Sequence, residues 1–243
     1  MFDYLKDIVS HTYGLGIVDL VKITGDNKET AIDALAEDRS VVVQAKLKTA
    51  LPDFEGNFGM PNLSTLNTLL NIPEYKEGAQ ITLTKQDRDG VAVAVGLHFR
   101  NKANDFKNDY RFMAAEIINE KLKTVKFKGV SWNVEFEPSV AAIQRLKFMA
   151  SANPAETVFV AKTEGTDLKF YFGDHSSHAG DFVFQPNVNG SLSKAWAWPV
   201  GAVISILSLP GDKTVRISDE GAAQITVDSG LAVYNYIIPA QSK

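Results

Sequence analysis

The chain has 243 residues, enough for one large or two medium domains, and 45% hydrophobic against 22% charged residues is the balance of a globular protein with a core. It contains no cysteine, which excludes disulfide frameworks, thiolate nucleophiles and Cys-ligated zinc. The formal net charge of −4 excludes a surface coated all over with nucleic-acid-binding charge, yet leaves room for a local basic patch.

In chain order, Phe2 to Thr12 reads as a short helix, because Leu5, Ile8, Val9 and Thr12 share one face and Gly14 and Gly16 stop it. Strands are predicted at Ile17 to Thr24, Ala31 to Ala36 and Val41 to Lys48, the last with Val41, Val43, Ala45 and Leu47 on one side. Phe54 to Met60 leads into a second helix, started by Pro61 and Asn62 and striped with Leu63, Leu66, Leu69 and Leu70. Strands follow at Gln80 to Thr84, Val91 to Arg100 and Asp109 to Ala114. Glu116 to Lys128 reads as an extended connector, in which Lys121, Lys123, Lys126 and Lys128 interleave with Leu122, Val125 and Phe127.

The plan then starts again. Asn133 to Phe136 reads as a strand, and Pro138 opens a third helix with Val140, Ile143, Leu146 and Ala150 inward. Strands are expected at Thr157 to Ala161, Leu168 to Phe172, Asp181 to Phe184 and Ala195 to Trp198, then a fourth helix from Pro199 to Leu207. Lys213 to Ser218, Ala223 to Val227 and Ala232 to Ile238 close the chain as strands, with Asp89-Gly90 and Gly211-Asp212 as turns. Helix starts recur about every sixty residues within each half. Helices this short must lie on a sheet to persist. The expected class is therefore α+β: two similar domains with antiparallel sheets outside and two short helices on the inner face, over residues 1–115 and 132–243, joined by a connector at 116–131.

Three stretches carry a family resemblance. NFGMPNLSTLNTLL (57–70) resembles the approach to the second helix of a DNA sliding-clamp domain. WNVEFEPSVAAIQRLKFMASANPAETVFVAKTEGTDLKFYFGD (132–174) resembles the opening of that family's second domain, and VYNYIIPAQSK (233–243) its C-terminus. The order of elements is similar over nearly the whole chain, most of all to T4-type bacteriophage clamps. The resemblance implies a homotrimeric ring around duplex DNA, a processivity factor that tethers a polymerase and meets a clamp loader, without catalysis or cofactor. Its place would be the cytoplasm of the phage's host. Met1 to Asp7 has acids where an export signal has a basic region, and no apolar run approaches the roughly 18 residues that span a bilayer, in keeping with that expectation.

A ring that slides should touch phosphates without reading bases. On the predicted helices and their ends the cations are Lys6, Lys76, Arg145 and Lys147, with His11 near the end of the first helix; they are the candidate DNA contacts. The lining they make is sparse. In clamps the connector rims a hydrophobic pocket beside the C-terminal tail, which implies partner binding by Leu122, Val125, Phe127, Ile237, Ile238 and Pro239. The bland readings are a solvated helix face for the cations and, for Leu122 and Phe127, pinning of the connector to the second domain.

Other signals are weak. Asp174, His175, His178 and Asp181 sit on a glycine-flanked turn, Asp87-x-Asp89-Gly90 lacks the closing Glu of a calcium loop, and no nucleotide or nucleophile-elbow motif occurs. Trp132, Trp196 and Trp198 read as core or strand-edge aromatics. The alternative to a clamp is a structural virion or assembly protein of tandem β-rich domains.

Overall fold

A computed structural model describes residues 1–243 except 89, 123–126, 128, 175–177, 242 and 243, and except the side chains of 88 and 91. The described residues divide into two units. The first is Met1–Arg39, Val43–Val125 and Ser229–Tyr234; the second is Ser40–Val42, Lys126–Asp228 and Asn235–Lys243.

The first unit opens with α1 (Phe2–His11), whose Leu5, Ile8 and Val9 are buried as the spacing requires. Strands β1 (Leu20–Gly25), β2 (Thr30–Leu35), β3 (Val42–Leu47) and β4 (Gly56–Pro61) follow, then α2 (Leu63–Asn71), then β5 (Gln80–Arg88), β6 (Val91–Arg100), β7 (Lys107–Arg111) and α3 (Ala115–Lys121). Strands β4-β1-β2-β3 lie in that order, and β5-β6-β7 form a separate sheet. Asn62 precedes α2 in the left-handed region at φ 52°, so its side chain does not cap the helix. Asp19, at the entry to β1, does so instead: its carboxylate accepts from the Ser64 amide at 3.0 Å and its carbonyl from that of Leu63.

The second unit runs β8 (Val134–Phe136), α4 (Val140–Ala152), β9 (Val158–Glu164), β10 (Asp167–Phe172), β11 (Gly180–Gln185), β12 (Ala197–Pro199), α5 (Val200–Leu207), β13 (Asp212–Ser218), β14 (Ala222–Asp228) and β15 (Ala232–Pro239). Strands β11-β10-β9-β12 form one sheet, and β15-β14-β13-β8 succeed one another in a second. Every element from α1 to β7 thus has a counterpart from α4 to β15. The match extends to the long-range ties: an isolated bridge joins Gly59 to Met113 in the first unit, and another joins Ala197 to Gln241 in the second. The core of the second unit is aromatic, with the Phe170 ring in contact with both Phe159 and Phe184 and with Trp198 fully enclosed.

Three sequence expectations change. Phe54 to Met60 contains a strand, β4, because Phe58 and Met60 bury while its whole length pairs with β1. The segment expected to be extended from Glu116 is helical to Lys121: Ile118 is fully buried, seated where a β-carbon on Gly59 would lie only 3.0 Å from it. In α4 the inward residues are Ala142 and Leu146, whereas Val140 is 85% exposed. The helix is turned by its seat on β11, where Gly180 leaves room for Met149, and by Ser139, whose hydroxyl accepts from the Ala142 amide.

One polar cluster closes the first unit. The Asp7 side chain, 10% exposed, accepts hydrogen bonds from Tyr234 Oη at 2.8 Å and Ser229 Oγ at 3.0 Å, and faces His11 Nδ1 at 3.2 Å. The His11 ring stacks on Tyr234 at 4.6 Å, so His11 is buried rather than offered at the helix surface. Burial by itself would raise the Asp7 pKa. The hydrogen bonds from His11, Tyr234 and Ser229, with the nearby imidazole, outweigh it and hold the carboxyl below its ordinary value of 3.8. A depressed carboxyl pKa stabilises the fold above the unfolded value, and this contribution vanishes as pH falls through the folded one. Asp7→Ala should therefore cost about 2 kcal/mol at neutral pH, with the difference from wild type shrinking below about pH 4, as read by chemical denaturation across pH.

Candidate nucleic-acid and partner surfaces

The outward face of α4 is defined by what its inward face buries. Opposite Ala142 and Leu146 stand Val140, Gln144 and Phe148, with Phe148 64% exposed. Arg145 is exposed, but its guanidinium lies over the Phe182 ring of β11, 5.3 Å from the centroid. Arg145 thus leans toward the free edge of the sheet, since β11 ends the strand order. Lys147 is half-buried on the other flank of the helix.

Sequence reasoning missed the partner of Lys147. Lys213, at the start of β13, has its pKa lowered chiefly by burial and further by the charge of Lys147, against an opposing effect of Asp212. Its ammonium donates to the Gly211 carbonyl at 2.8 Å. The carboxylate of Asp212 acts on Lys213 more strongly than the charge of Lys147 does, so the two lysines share their surroundings with an acid. The only sequence signal was the Gly211-Asp212 turn placing a lysine just after the last helix; its neighbour lies far away in the chain. In the first unit Lys6 is exposed, with its ammonium 5.9 Å from the centroid of Phe2, and Lys76 is exposed just after the turn Pro73–Tyr75. Among the described residues, no ion pair engages Lys6, Lys76, Arg145 or Lys147.

Of the residues expected to meet a partner, Phe127 is half-buried with its ring 6.1 Å from that of Trp132. Leu122 is half-buried just past α3, and Val125 lies outside the described residues. Ile237 and Ile238 are 5% and 0% exposed: they close the core of β15 and have no surface to offer, while Pro239 is exposed. The tail is held in place, Ala240 donating to the Gly221 carbonyl and Gln241 to that of Ala197. Beside it Trp196 donates to the Asp219 carbonyl and Lys194 lies over its ring. Burial would raise the Asp219 pKa, but hydrogen bonds from Ser193 and the Lys194 amide lower it on balance, so this carboxylate fixes the 193–194 turn in its charged form.

His175 lies outside the described residues, and no cluster of three metal-ligating side chains occurs among those described. No described helix is long and apolar enough to cross a membrane.

The repeated plan has close structural counterparts. A. fulgidus PCNA, solved with the C-terminal region of FEN-1 bound, matches with a TM-score of 0.72 at 11% identity, covering 100% of this chain and 97% of that one. PCNA from Thermococcus kodakaraensis matches with a TM-score of 0.68 at 12% identity, covering 98% and 97%. The fold is that of the PCNA-type sliding clamp. No family model and no curated protein matches the sequence. At such low identity the clamp fold is carried by the order and pairing of elements, and residue roles must be argued from this chain alone. Within the clamp fold the helices α1, α2, α4 and α5 bear few charges.

Removing one of the two charges should relax the other. In Lys147→Ala the Lys213 ammonium should titrate at higher pH than in the parent, though still below an ordinary lysine because burial remains. Nitrogen-detected NMR of the lysine ammonium groups would measure this, and an unchanged Lys213 titration would separate the two side chains.

Proposed function

We propose that this chain is a protomer of a DNA sliding clamp, a processivity factor that closes as a homotrimer around duplex DNA. The observation that carries the reading is the likeness to PCNA over the full length of both chains, across both copies of the repeat. In this reading it tethers a replicative polymerase and is loaded by a separate clamp loader, and the resemblance of its sequence segments to T4-type clamps favours a bacteriophage origin.

The repeat itself suggests how a ring closes. Within the first unit, the segment opening β15 runs beside β3, with the Lys48 amide donating to the Leu231 carbonyl. By position in the repeat, β7 is the counterpart of β15 and β11 the counterpart of β3. Both β7 and β11 end their sheets with an unpaired edge. Pairing β7 of one protomer with β11 of the next would repeat the β15–β3 arrangement and cover both edges. β7 carries Lys107 and Arg111 with one acid, Asp109, and β11 carries Asp181, so the net charges of the two strands are opposite.

DNA would be held through phosphates alone. Lys147 and Lys213 are the best placed of the cations, and Lys6 and Lys76 add to them. Arg145, leaning on Phe182 beside the β11 edge, belongs more naturally to the junction with a neighbour. Partner peptides would meet Phe127, Leu122 and Pro239, with Val125 of the connector; the family pocket implied by the resemblance is the model for this.

Light scattering of the pure protein should give three protomer masses, and a monomer at high concentration would remove the ring. On nicked circular DNA the protein should be retained and then released by linearisation. Lys147→Glu combined with Lys213→Glu should shorten that retention by tenfold or so without changing the mass. Retention that survives both charge reversals would move the DNA contact elsewhere. Truncation after Pro239 keeps Ile237 and Ile238 in the core, so trimer and DNA retention should persist while polymerase stimulation falls; unaltered stimulation would dismiss the tail as a docking element.

A further inference from the structure

The two copies of the repeat differ at one strand edge. In the second unit β8 lies against β13, with Val134 opposite Ile217 and Phe136 opposite Val215. The Ile217 carbonyl accepts from the Asn133 amide, so Ile217 turns its backbone toward β8, and Val215 does the same because strand edges alternate with period two. With β8 beside them, the side chains of Val215 and Ile217 are buried, as are those of Val134 and Phe136. By position in the repeat, β5 is the counterpart of β13. It ends the sheet β5-β6-β7, and no described strand stands beside it as β8 stands beside β13. The hairpin that carries this open edge is also the longer one, nine residues in β5 and ten in β6 against seven each in β13 and β14.

The direction of the β5 backbone follows from its neighbours. The Asn101 amide donates to the Phe106 carbonyl and the Phe112 amide to that of Val95, so the odd-numbered residues of β6 bond to β7. Past Phe112 the chain crosses to β4, where Met113 and Gly59 exchange both backbone hydrogen bonds. The even-numbered residues of β6 therefore bond to β5, with Arg100, His98 and Gly96 opposite Gln80, Thr82 and Thr84. Ile81 and Leu83 point their N–H and C=O groups the other way, to the open edge. Among the described residues, no backbone hydrogen bond outside the β5–β6 ladder involves residues 80–88. The side chains of Ile81 and Leu83 stand opposite Phe99 and Leu97, which are fully buried, yet both are only half-buried themselves. They repeat the disposition of Val215 and Ile217, backbone to the edge and side chain to the core, without the strand that would finish their burial.

We propose that the β5 edge at Gln80–Thr84 is a strand-addition site for an antiparallel segment of a partner protein with the pattern apolar, acidic, apolar. β8 shows what such an edge takes. Val134 and Phe136 lie over the core, and between them Glu135, on the solvent face, accepts from Arg216 Nε at 2.8 Å. The first unit offers the same three features. Ile81 and Leu83 supply free main-chain groups and unfinished apolar surface, the two terms of β-strand addition. Arg100 supplies the cation: it shares the solvent face with Gln80 and Thr82, and its guanidinium donates to Gln80 Oε1 at the edge. Residues 80–84 and 96–100 contain no acid. The acid opposite His98 on β7 is Asp109, already engaged with His98 Nδ1 at 2.8 Å. Among the described residues, no ion pair engages Arg100. A second copy of β5 would bring two positive edges together, so the charge favours an acidic strand from a different protein. The site lies wholly in the first unit and does not rest on ring closure.

The test uses the full-length protein and a blocked pentapeptide with the sequence of residues 133–137, Asn-Val-Glu-Phe-Glu, read by amide hydrogen exchange. At about 1 mM peptide the Ile81 and Leu83 amides should exchange about twofold or more slowly, as for a site with a dissociation constant near or below that concentration, and the slowing should saturate. The same peptide N-methylated at its valine and phenylalanine lacks the donors that face the edge and should leave exchange unchanged. Arg100→Glu should remove most of the slowing. Unchanged exchange over residues 80–84, slowing confined to residues 213–218, or equal slowing by the N-methylated peptide or in Arg100→Glu would each overturn the proposal. The peptide should alter neither trimer mass nor DNA retention, so failure here is distinct from failure of the clamp reading.

Discussion

The carboxylate of Asp7 ties the first helix to Ser229 and Tyr234, which stand more than two hundred residues later in the chain. A charged group that is 10% exposed must be satisfied by hydrogen bonds or it destabilises the fold, and here its partners come from the segment that opens the last strand. The first unit is therefore incomplete until the C-terminal segment returns. Stacking of His11 on Tyr234 reinforces the same junction with apolar contact.

The repeat explains both the regularity and the exceptions. Where the two copies agree, the same order of helix, three strands, a short strand, helix and hairpin gives the same pairings. Where they differ, the difference has a local cause. The longer β5–β6 hairpin overhangs the crossing at Phe112 and Met113, where a cleft opens, while its counterpart ends level with the tail. The second unit instead fills its interior with Phe159, Phe170, Phe184 and Trp198.

Charge is sparse on the helices that carry the repeat. The helices α2 and α5 carry none, and α4 has no acid to neutralise Lys147. The outward Val140 and Phe148 on α4 add apolar surface to a face that composition alone would have made polar.

The sequence by itself determined the kind and order of elements. Period-two and 3.6-residue patterns placed α1, α2, α5 and nearly every strand, because alternation and helical stripes are local records of which face is buried. The helix at Ala115–Lys121 escaped, since its single buried residue, Ile118, is specified by Gly59 across the sheet and not by neighbours in sequence. The facing of α4 escaped for the same reason: Gly180 and Met149 set its rotation. Tertiary structure alone decided the sites. It brought Lys213 to Lys147, leaned Arg145 onto Phe182, buried His11, Ile237 and Ile238 that looked available, and opened a cleft between strands far apart in the chain. Local pattern encodes which residues avoid water; which of the remaining residues meet one another depends on where the elements cross, and that is fixed only when the chain closes on itself.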